Sequence, residues 1–174
     1  MTIIAAYIDR TGHTAIGCDT MAMGGGHCTY VSSKLHRIGA AVVGCSGSNL
    51  WRRFLTEDPP ALDDPADLME FADGWTEWAT ERGHGEQVDG QLYQNGGFLV
   101  AFPGRLIEVC ADGALHESTL RYAAMGSGQA IAVGALAIAS EAWPTARDVL
   151  VRAIQAVMLH SPECGGDIIV EDVT

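Results

Sequence analysis

Residues 2–19 read TIIAAYIDRTGHTAIGCD, and this stretch decides how the fold begins. Thr2–Ile8 is mostly apolar and contains several β-branched residues, a pattern that predicts a strand. Asp9–Gly12 has the composition of a turn, and His13–Asp19 predicts a second strand. The chain is therefore expected to open with a β-hairpin.

The segment that follows the hairpin predicts one buried strand and two helices. Ile38–Cys45 is a continuous apolar run, which indicates a buried strand that leads into a turn. A helix is expected to start near Ser48 and to end before Pro59. A second helix fits Pro65–Arg82, with Asp64 as its N-cap.

Two stretches are expected to be loops because glycine and polar residues dominate them. One is Thr20–Cys28, which contains the run Gly24-Gly25-Gly26, and the other is Gly83–Gly97. Glycine is frequent overall, at 21 of 174 residues, which indicates tight turns or close backbone approaches.

The second half of the chain repeats the sequence of strands followed by helices. Its expected elements are strands over Phe98–Phe102 and Arg105–Ala111, a further strand after Gly113, helices over Gly128–Ala142 and from Thr145, and a final strand over Asp167–Val170. The expected order is strands, two helices, strands, two helices and a strand. A parallel sheet would instead require single strands that alternate with helices. The order predicts an α+β fold of two antiparallel sheets with helices outside, in one domain spanning residues 1–174.

Composition narrows the class of function. Ten Lys and Arg against 22 Asp and Glu give a net charge of −12, which argues against binding to nucleic acid or to an anionic membrane. The longest apolar run, residues 130–139, is too short to cross a bilayer, and the N-terminus lacks the pattern of a signal peptide. The five cysteines are widely spaced, which indicates buried thiols in a reducing compartment and a cytoplasmic protein.

Several single residues suggest chemistry, each with an ordinary alternative. Thr2 would become an N-terminal nucleophile with its own base if Met1 were removed, because a free α-amine has a pKa near 8. It also fits as an ordinary strand residue. Asp19 ends a strand and could simply cap a turn. Lys34, the only lysine, could be a solvated surface cation. The turns at Gly47 and at Ser127 could present amides to an oxyanion or be plain turns.

Other catalytic classes find little support. The six histidines show no metal-ligand spacing, and neither a phosphate-binding glycine loop nor a GxSxG elbow occurs. Cys45 and Cys164 have no basic neighbour in sequence, so a buried thiol explains each better than a nucleophile does. We expect no metal ion and no cofactor.

Together and in this order, the segments resemble the proteasome β-subunit and HslV family of N-terminal nucleophile (Ntn) hydrolases. The segments that carry the resemblance are Thr2-Ile-Ile, Gly17-Cys-Asp19-Thr, Ser33-Lys34-Leu-His-Arg-Ile38, Gly44-Cys-Ser-Gly47-Ser, Ala124-Met-Gly-Ser127-Gly and Cys164-Gly-Gly166. The likeness extends over nearly the whole chain. It implies a four-layer αββα sandwich.

The resemblance also assigns roles to residues. Thr2 matches the nucleophile, Asp19 and Lys34 the acid–lysine pair, Gly47 the oxyanion-hole glycine and Ser127 the serine near the terminal amine. The tail departs from the β-subunit pattern, because Cys164 stands where that pattern has serine and Ser161 where it has aspartate. Met21 likewise replaces a frequent arginine. The changes at Ser161 and Cys164 imply a weaker hydrogen-bond network around the amine than in the β-subunits.

The implied function is a threonine endopeptidase of a self-compartmentalised protease. Its partners would be copies of itself in stacked hexameric or heptameric rings, peptide or unfolded protein substrates, and an AAA+ unfoldase. Two alternatives stay open. One is an inactive ring-forming homologue, which the changed tail favours, and the other is an Ntn amidohydrolase acting on a small amide. The pair of Asp19 and Lys34 argues against the second alternative.

Overall fold

A computed structural model describes residues 2–24, 27–47, 49–57, 59–83, 86–88, 91–93 and 96–174. The strands are β1 (Ile3–Ile8), β2 (Thr14–Asp19), β3 (Met21–Gly24), β4 (His27–Tyr30), β5 (Leu35–Ile38), β6 (Ala41–Gly47), β7 (Glu86–Val88), β8 (Gln91–Tyr93), β9 (Gly96–Phe102), β10 (Arg105–Val109), β11 (Leu115–Glu117), β12 (Tyr122–Gly126) and β13 (Ile168–Val173). The helices are α1 (Asn49–Glu57), a 3-10 turn (Pro65–Asp67), α2 (Leu68–Glu81), α3 (Gln129–Ala142) and α4 (Ala146–His160).

Two antiparallel sheets form the centre of the molecule. One has four strands in the order β12-β1-β2-β13, and the other has five in the order β11-β10-β9-β6-β5. Separate apolar clusters join α1 and α2 to the five-stranded sheet, the two sheets to each other, and α3 and α4 to the four-stranded sheet. The layers are therefore α, β, β and α, as predicted.

Strand β1 shows why the opening segment is apolar on both faces. Ile3 and Ala5 pack toward α3 and α4, whereas Ile4 and Ala6 pack between the sheets. Successive side chains of a strand point to opposite faces, so a strand in an inner layer needs apolar residues at every position. Thr2 directly precedes β1 and therefore lies at the end of an inner strand of the four-stranded sheet.

The layer of α1 and α2 is built from large aromatic side chains. Trp51 stacks on Trp75 with ring centroids 4.0 Å apart, and Phe98 of β9 meets Trp51 edge to face at 4.5 Å. Trp51, Phe54 and Trp75 are almost fully buried. All three side chains therefore fill the core of one chain.

Helix starts follow the predicted capping. The Asp64 side chain accepts the Ala66 amide at 2.8 Å and caps the 3-10 turn, from which α2 continues. Thr145 accepts the Asp148 amide at 3.1 Å at the start of α4. Helix α1 begins at Asn49, as expected, while Ser48 itself lies outside the described residues. No helix in the described part of the chain is long and apolar enough to cross a membrane.

Four strand predictions need correction. The run Ile38–Cys45 is two strands, because a turn at Gly39-Ala40 separates β5 from β6. The two expected loops contain paired short strands, β3 with β4 and β7 with β8. The predicted glycine run in the first loop includes Gly25 and Gly26, which lie outside the described residues. Strand β12 was not predicted, because its small residues carry little β-propensity and its stability comes from pairing with β1.

Candidate active site

Thr2 lies immediately before β1 and is almost fully buried. Its backbone nitrogen donates to Ser127 Oγ at 3.2 Å, and Ser127 Oγ donates to the Thr2 carbonyl oxygen at 3.4 Å. The Gly128 amide also reaches this carbonyl oxygen at 3.4 Å. The turn between β12 and α3 therefore forms hydrogen bonds with both the backbone N–H and the carbonyl oxygen of Thr2.

Gly126 permits this close approach. Its φ is +105°, in the region that side chains disfavour, and a Cβ there would overlap the Thr2 carbonyl oxygen. The same Cβ would lie 3.2 Å from Ser46 Oγ, so the Ser46 hydroxyl borders the same space. Ser46 lies on β6 next to Gly47, which brings the predicted oxyanion turn to the edge of the Thr2 site.

Asp19 at the end of β2 is fully buried, and both of its carboxylate oxygens are used. Oδ1 accepts the amide of Ile3 at 3.0 Å and Lys34 Nζ at 2.6 Å. Oδ2 accepts the amide of Gly165 at 3.0 Å. Asp19 is thus hydrogen-bonded to Ile3, Lys34 and Gly165. It does not act as the simple turn cap that the sequence also allowed.

Lys34 is buried, with 5% of its surface exposed, so the interpretation as a solvated surface cation is wrong. Besides Asp19, its ammonium donates to the Met21 carbonyl oxygen at 2.5 Å. Taking both charges of an ion pair out of water carries a large desolvation penalty, which the mutual attraction and extra hydrogen bonds offset only with good geometry. A buried ion pair of this kind contributes little net stability to a fold. Charged groups in such surroundings are instead candidates for a catalytic role.

The loop at residues 164–167 fastens the end of β2. The Asp167 amide donates to Thr20 Oγ1 at 2.8 Å, and the Thr20 and Met21 amides donate to the carbonyl oxygens of Asp167 and Gly165. A Cβ at Gly166 would overlap Thr20 Oγ1 and meet the Tyr30 ring at 2.9 Å. Thr20 could not be identified from the sequence, because its partners are mainly backbone groups. Backbone contacts of this kind can be made by almost any residue type.

Three cysteines surround the site, and their thiols are poor nucleophiles. Burial raises the pKa of Cys18 and of Cys45 to about 11, and it also raises the pKa of Cys164. The thiolate is the reactive form, so these residues are inert at neutral pH. The prediction of buried thiols holds for them, whereas Cys28 is exposed and Cys110 is half-buried.

The described structure thus brings Thr2, Asp19, Lys34 and Ser127 together. Gly47 follows Ser46 on β6, and the Ser46 hydroxyl lies close to Gly126 next to Thr2. The charged pair reaches β1 through Asp19, which accepts the amide of Ile3, the residue after Thr2. The Ser127 hydroxyl accepts the N–H of Thr2 itself. Chemically, this arrangement holds a threonine in a fixed position next to a cation and hydrogen-bonding groups. Among the described residues, no group of three or more His, Cys, Asp or Glu is arranged to hold a metal ion.

Comparison with known proteins supports the fold. No family model matches the sequence, and no curated protein matches it. The structure is similar to Thiobacillus denitrificans BPH, with a TM-score of 0.83, 24% identity and coverage of 99% of this chain and 98% of that one. BPH in complex with epoxomicin has a TM-score of 0.79 at 24% identity, covering 98% and 99% of the two chains. Eukaryotic HslV from Trypanosoma brucei has a TM-score of 0.69 at 17% identity, covering 97% and 98%.

These matches extend over nearly the whole of each chain. The fold of this protein is therefore the αββα sandwich of HslV and BPH, which confirms the fold class predicted from sequence.

Proposed function

We propose that this chain is a threonine-type endopeptidase subunit of a self-compartmentalised, ring-shaped protease. The observation that carries the proposal is the buried Lys34–Asp19 pair, whose carboxylate also holds the amide of the residue after Thr2. Burying both charges next to Thr2 carries a desolvation penalty. A role of the pair in activating Thr2 would explain why the charges lie there.

In the proposed reaction, removal of Met1 frees the α-amine of Thr2. The amine takes the proton from Thr2 Oγ, and Oγ attacks the carbonyl carbon of a peptide bond. The Gly47 amide donates to the oxyanion, and one donor of this kind stabilises the transition state by about 3 kcal/mol. The proton then passes from the amine to the leaving peptide nitrogen. A water deprotonated by the same amine hydrolyses the ester and restores Thr2.

Lys34 has an electrostatic role in this scheme. Its positive charge favours the negatively charged form of Thr2 Oγ, and Asp19 keeps the ammonium in position through a bond of 2.6 Å. Met21 contributes its carbonyl oxygen, so the second bond to the ammonium does not depend on the side chain at this position. Replacement of the arginine frequent in the family is therefore compatible with activity.

The decisive experiment combines intact mass with covalent labelling. We expect the mature chain to lack Met1 and to form one adduct with epoxomicin, the ligand bound to BPH in a similar structure. Thr2→Ala should abolish peptide hydrolysis and labelling while leaving the melting temperature unchanged, and Thr2→Ser should keep part of the activity. Retained Met1, or normal turnover by Thr2→Ala, would overturn the proposal.

We further propose that residues 1–174 act as one cytoplasmic domain that assembles into stacked six- or seven-membered rings, fed with unfolded protein by an AAA+ unfoldase. The support is apolar surface on the outer helices. Ile138 is 73% exposed and Leu159 78%, and Val133 and Trp143 are also exposed. With a net charge of −12 per subunit, apolar contacts must offset repulsion between neighbours.

Light scattering at micromolar concentration and at low and high salt tests the assembly. We expect a closed oligomer that Ile138→Glu weakens. Met69→Glu is the matched control, because Met69 is 61% exposed on α2 in the opposite helix layer. A monomer under every condition would contradict the ring.

An inactive ring-forming protein is the second candidate, and the observation that favours it is the changed tail. Ser161 and Cys164 are both buried beside the site and replace the aspartate and serine of the β-subunit pattern. This candidate predicts an oligomer that retains an unlabelled Thr2, whereas an amidohydrolase acting on small amides predicts labelling without hydrolysis of peptides.

A further inference from the structure

Cys164 continues a line of hydrogen-bonding groups that starts at Thr2. The Thr2 nitrogen donates to Ser127 Oγ at 3.2 Å, and Ser127 Oγ lies 3.8 Å from Cys164 Sγ. Cys164 is 4% exposed, and its sulfur would lie 3.4 Å from a Cβ at Gly128. The thiol is thus buried in a tightly packed place next to Ser127.

The serine hydroxyl has one proton and two lone pairs to distribute. One lone pair accepts the Thr2 N–H. The proton has two acceptors within reach, the Thr2 carbonyl oxygen at 3.4 Å and the sulfur at 3.8 Å. Sulfur is a weak acceptor, so the proton of Ser127 stays on the side of Thr2.

We propose that Cys164 is a positioning residue that acts through Ser127: by offering the Ser127 hydroxyl only a weak acceptor, it keeps that proton turned toward Thr2 and favours the unprotonated amine. The inference rests on the proposed function, in which the Thr2 amine is the base. It gives the departure from serine at this position a role in the reaction.

The sign follows from what each protonation state needs. An ammonium has only protons to donate, and an acceptor that bonds to it stabilises the charged form. A serine at 164 would accept the Ser127 proton, leave both lone pairs of Ser127 Oγ facing Thr2, and polarise that oxygen further. A thiol does this weakly. The native cysteine therefore leaves more of the amine as free base near neutral pH than serine would.

Other charged groups around the site do not change between the variants. Asp19 faces the cluster from β2 and Lys34 from the start of β5, and they bond to each other at 2.6 Å. In the described part of the chain, the Cys18 and Cys45 thiols also lie close to Lys34. Burial raises the pKa of the Cys164 thiol, so the thiol stays uncharged and acts through its hydrogen bonding.

The test measures the α-amine directly. Full-length protein is made behind a cleavable leader, so that Thr2 is the first residue in every variant. Labelling with a limiting amount of acetic anhydride across a pH series, read by mass spectrometry of the N-terminal peptide, gives the pKa of the Thr2 amine. Lys34 is the only other amine in the chain and is distinguished by its own peptide.

We expect Cys164→Ser to raise the amine pKa by about half a unit or more relative to wild type. Cys164→Ala, which also lacks a strong acceptor, should keep the wild-type value even if its melting temperature falls. An unchanged pKa in Cys164→Ser overturns the inference. An equal shift in Cys164→Ala also overturns it, because the effect would then come from packing.

Failure of the proposed function looks different. If wild-type protein with an exposed Thr2 neither hydrolyses peptides nor forms the epoxomicin adduct, the peptidase proposal is wrong, whatever the amine measurement gives. If the enzyme is active, the acid limb of its kcat/KM profile should move to higher pH in Cys164→Ser and stay in place in Cys164→Ala.

Discussion

The five-stranded sheet has two faces with opposite characters. Toward α1 and α2 it supports stacked aromatic rings, with Trp51 and Trp75 almost fully buried. Toward the four-stranded sheet the contact is aliphatic, and at the end near Thr2 the buried space contains the charges of Lys34 and Asp19. The first face stabilises the fold through buried apolar area, whereas the second places a desolvated ion pair where apolar residues would pack at lower cost.

This difference suggests how residues that stabilise the fold can be distinguished from residues that take part in the proposed reaction. A change in the aromatic layer should lower the free energy of unfolding and leave the reaction of the folded molecules intact. A change in the ion pair should affect both, and restoring stability should not restore the reaction.

The largest effect is expected from Lys34→Met. It leaves the Asp19 carboxylate buried without its cation, which lowers the free energy of unfolding by about 3–5 kcal/mol, and it also removes peptide hydrolysis. Urea unfolding and a peptidase assay at matched folded fraction measure the two losses.

The double variant Asp19→Asn with Lys34→Met is the control. It removes the buried charge and keeps an oxygen for the amides, so it should recover much of the stability and none of the activity. Near-normal hydrolysis by Lys34→Met would show that the pair is structural.

A purely structural loss is expected from Trp75→Ala. Removal of the buried indole leaves a cavity and lowers the free energy of unfolding by about 3–5 kcal/mol. Below the melting temperature, epoxomicin labelling of the folded fraction should match wild type. Trp143→Ala, at a tryptophan that is 37% exposed, is the matched control and should change stability much less. Loss of labelling in folded Trp75→Ala would break the separation between the two faces.

The smallest effect concerns His36, which lies on β5 on the same face as Ile38, toward the aromatic layer. Burial and the nearby charge of Arg52 lower the pKa of His36. The unfolded chain therefore binds a proton there more readily than the folded chain does. The stability is fully present above about pH 6.5, the ordinary value, and falls as the pH drops toward the lowered pKa. Urea unfolding at pH 7.5 and 5.5 should show a smaller pH dependence in His36→Gln, and an equal dependence would contradict this assignment.

The sequence predicted those features that depend on local patterns. Apolar runs located β1 and β9, and the N-cap Asp64 located the start of the helical segment that leads into α2. The prediction missed β12, because Ala123, Ala124 and Gly126 have little β-propensity and the strand depends on pairing with β1. It also missed the turn at Gly39 inside an apolar run, because hydrophobicity alone does not show where a buried chain reverses.

The site divides in the same way. Thr2, Asp19, Lys34 and Ser127 were identified through their order along the chain, and the contact between Asp19 and Lys34 is present in the structure. Their catalytic roles stay predictions. The contributions of Thr20 and of the Gly165 amide could not be predicted, since they depend on backbone groups brought close by the fold.

The bond between Asp19 and Gly165 joins groups 146 residues apart, and the one between Thr2 and Ser127 spans 125. Residues from the beginning of the chain can meet these partners only after residues 127 and 165 have been synthesised. A nascent chain on the ribosome therefore has an unfinished site. The surroundings of Thr2 are complete only once translation has passed residue 165 and the distant segments have folded together.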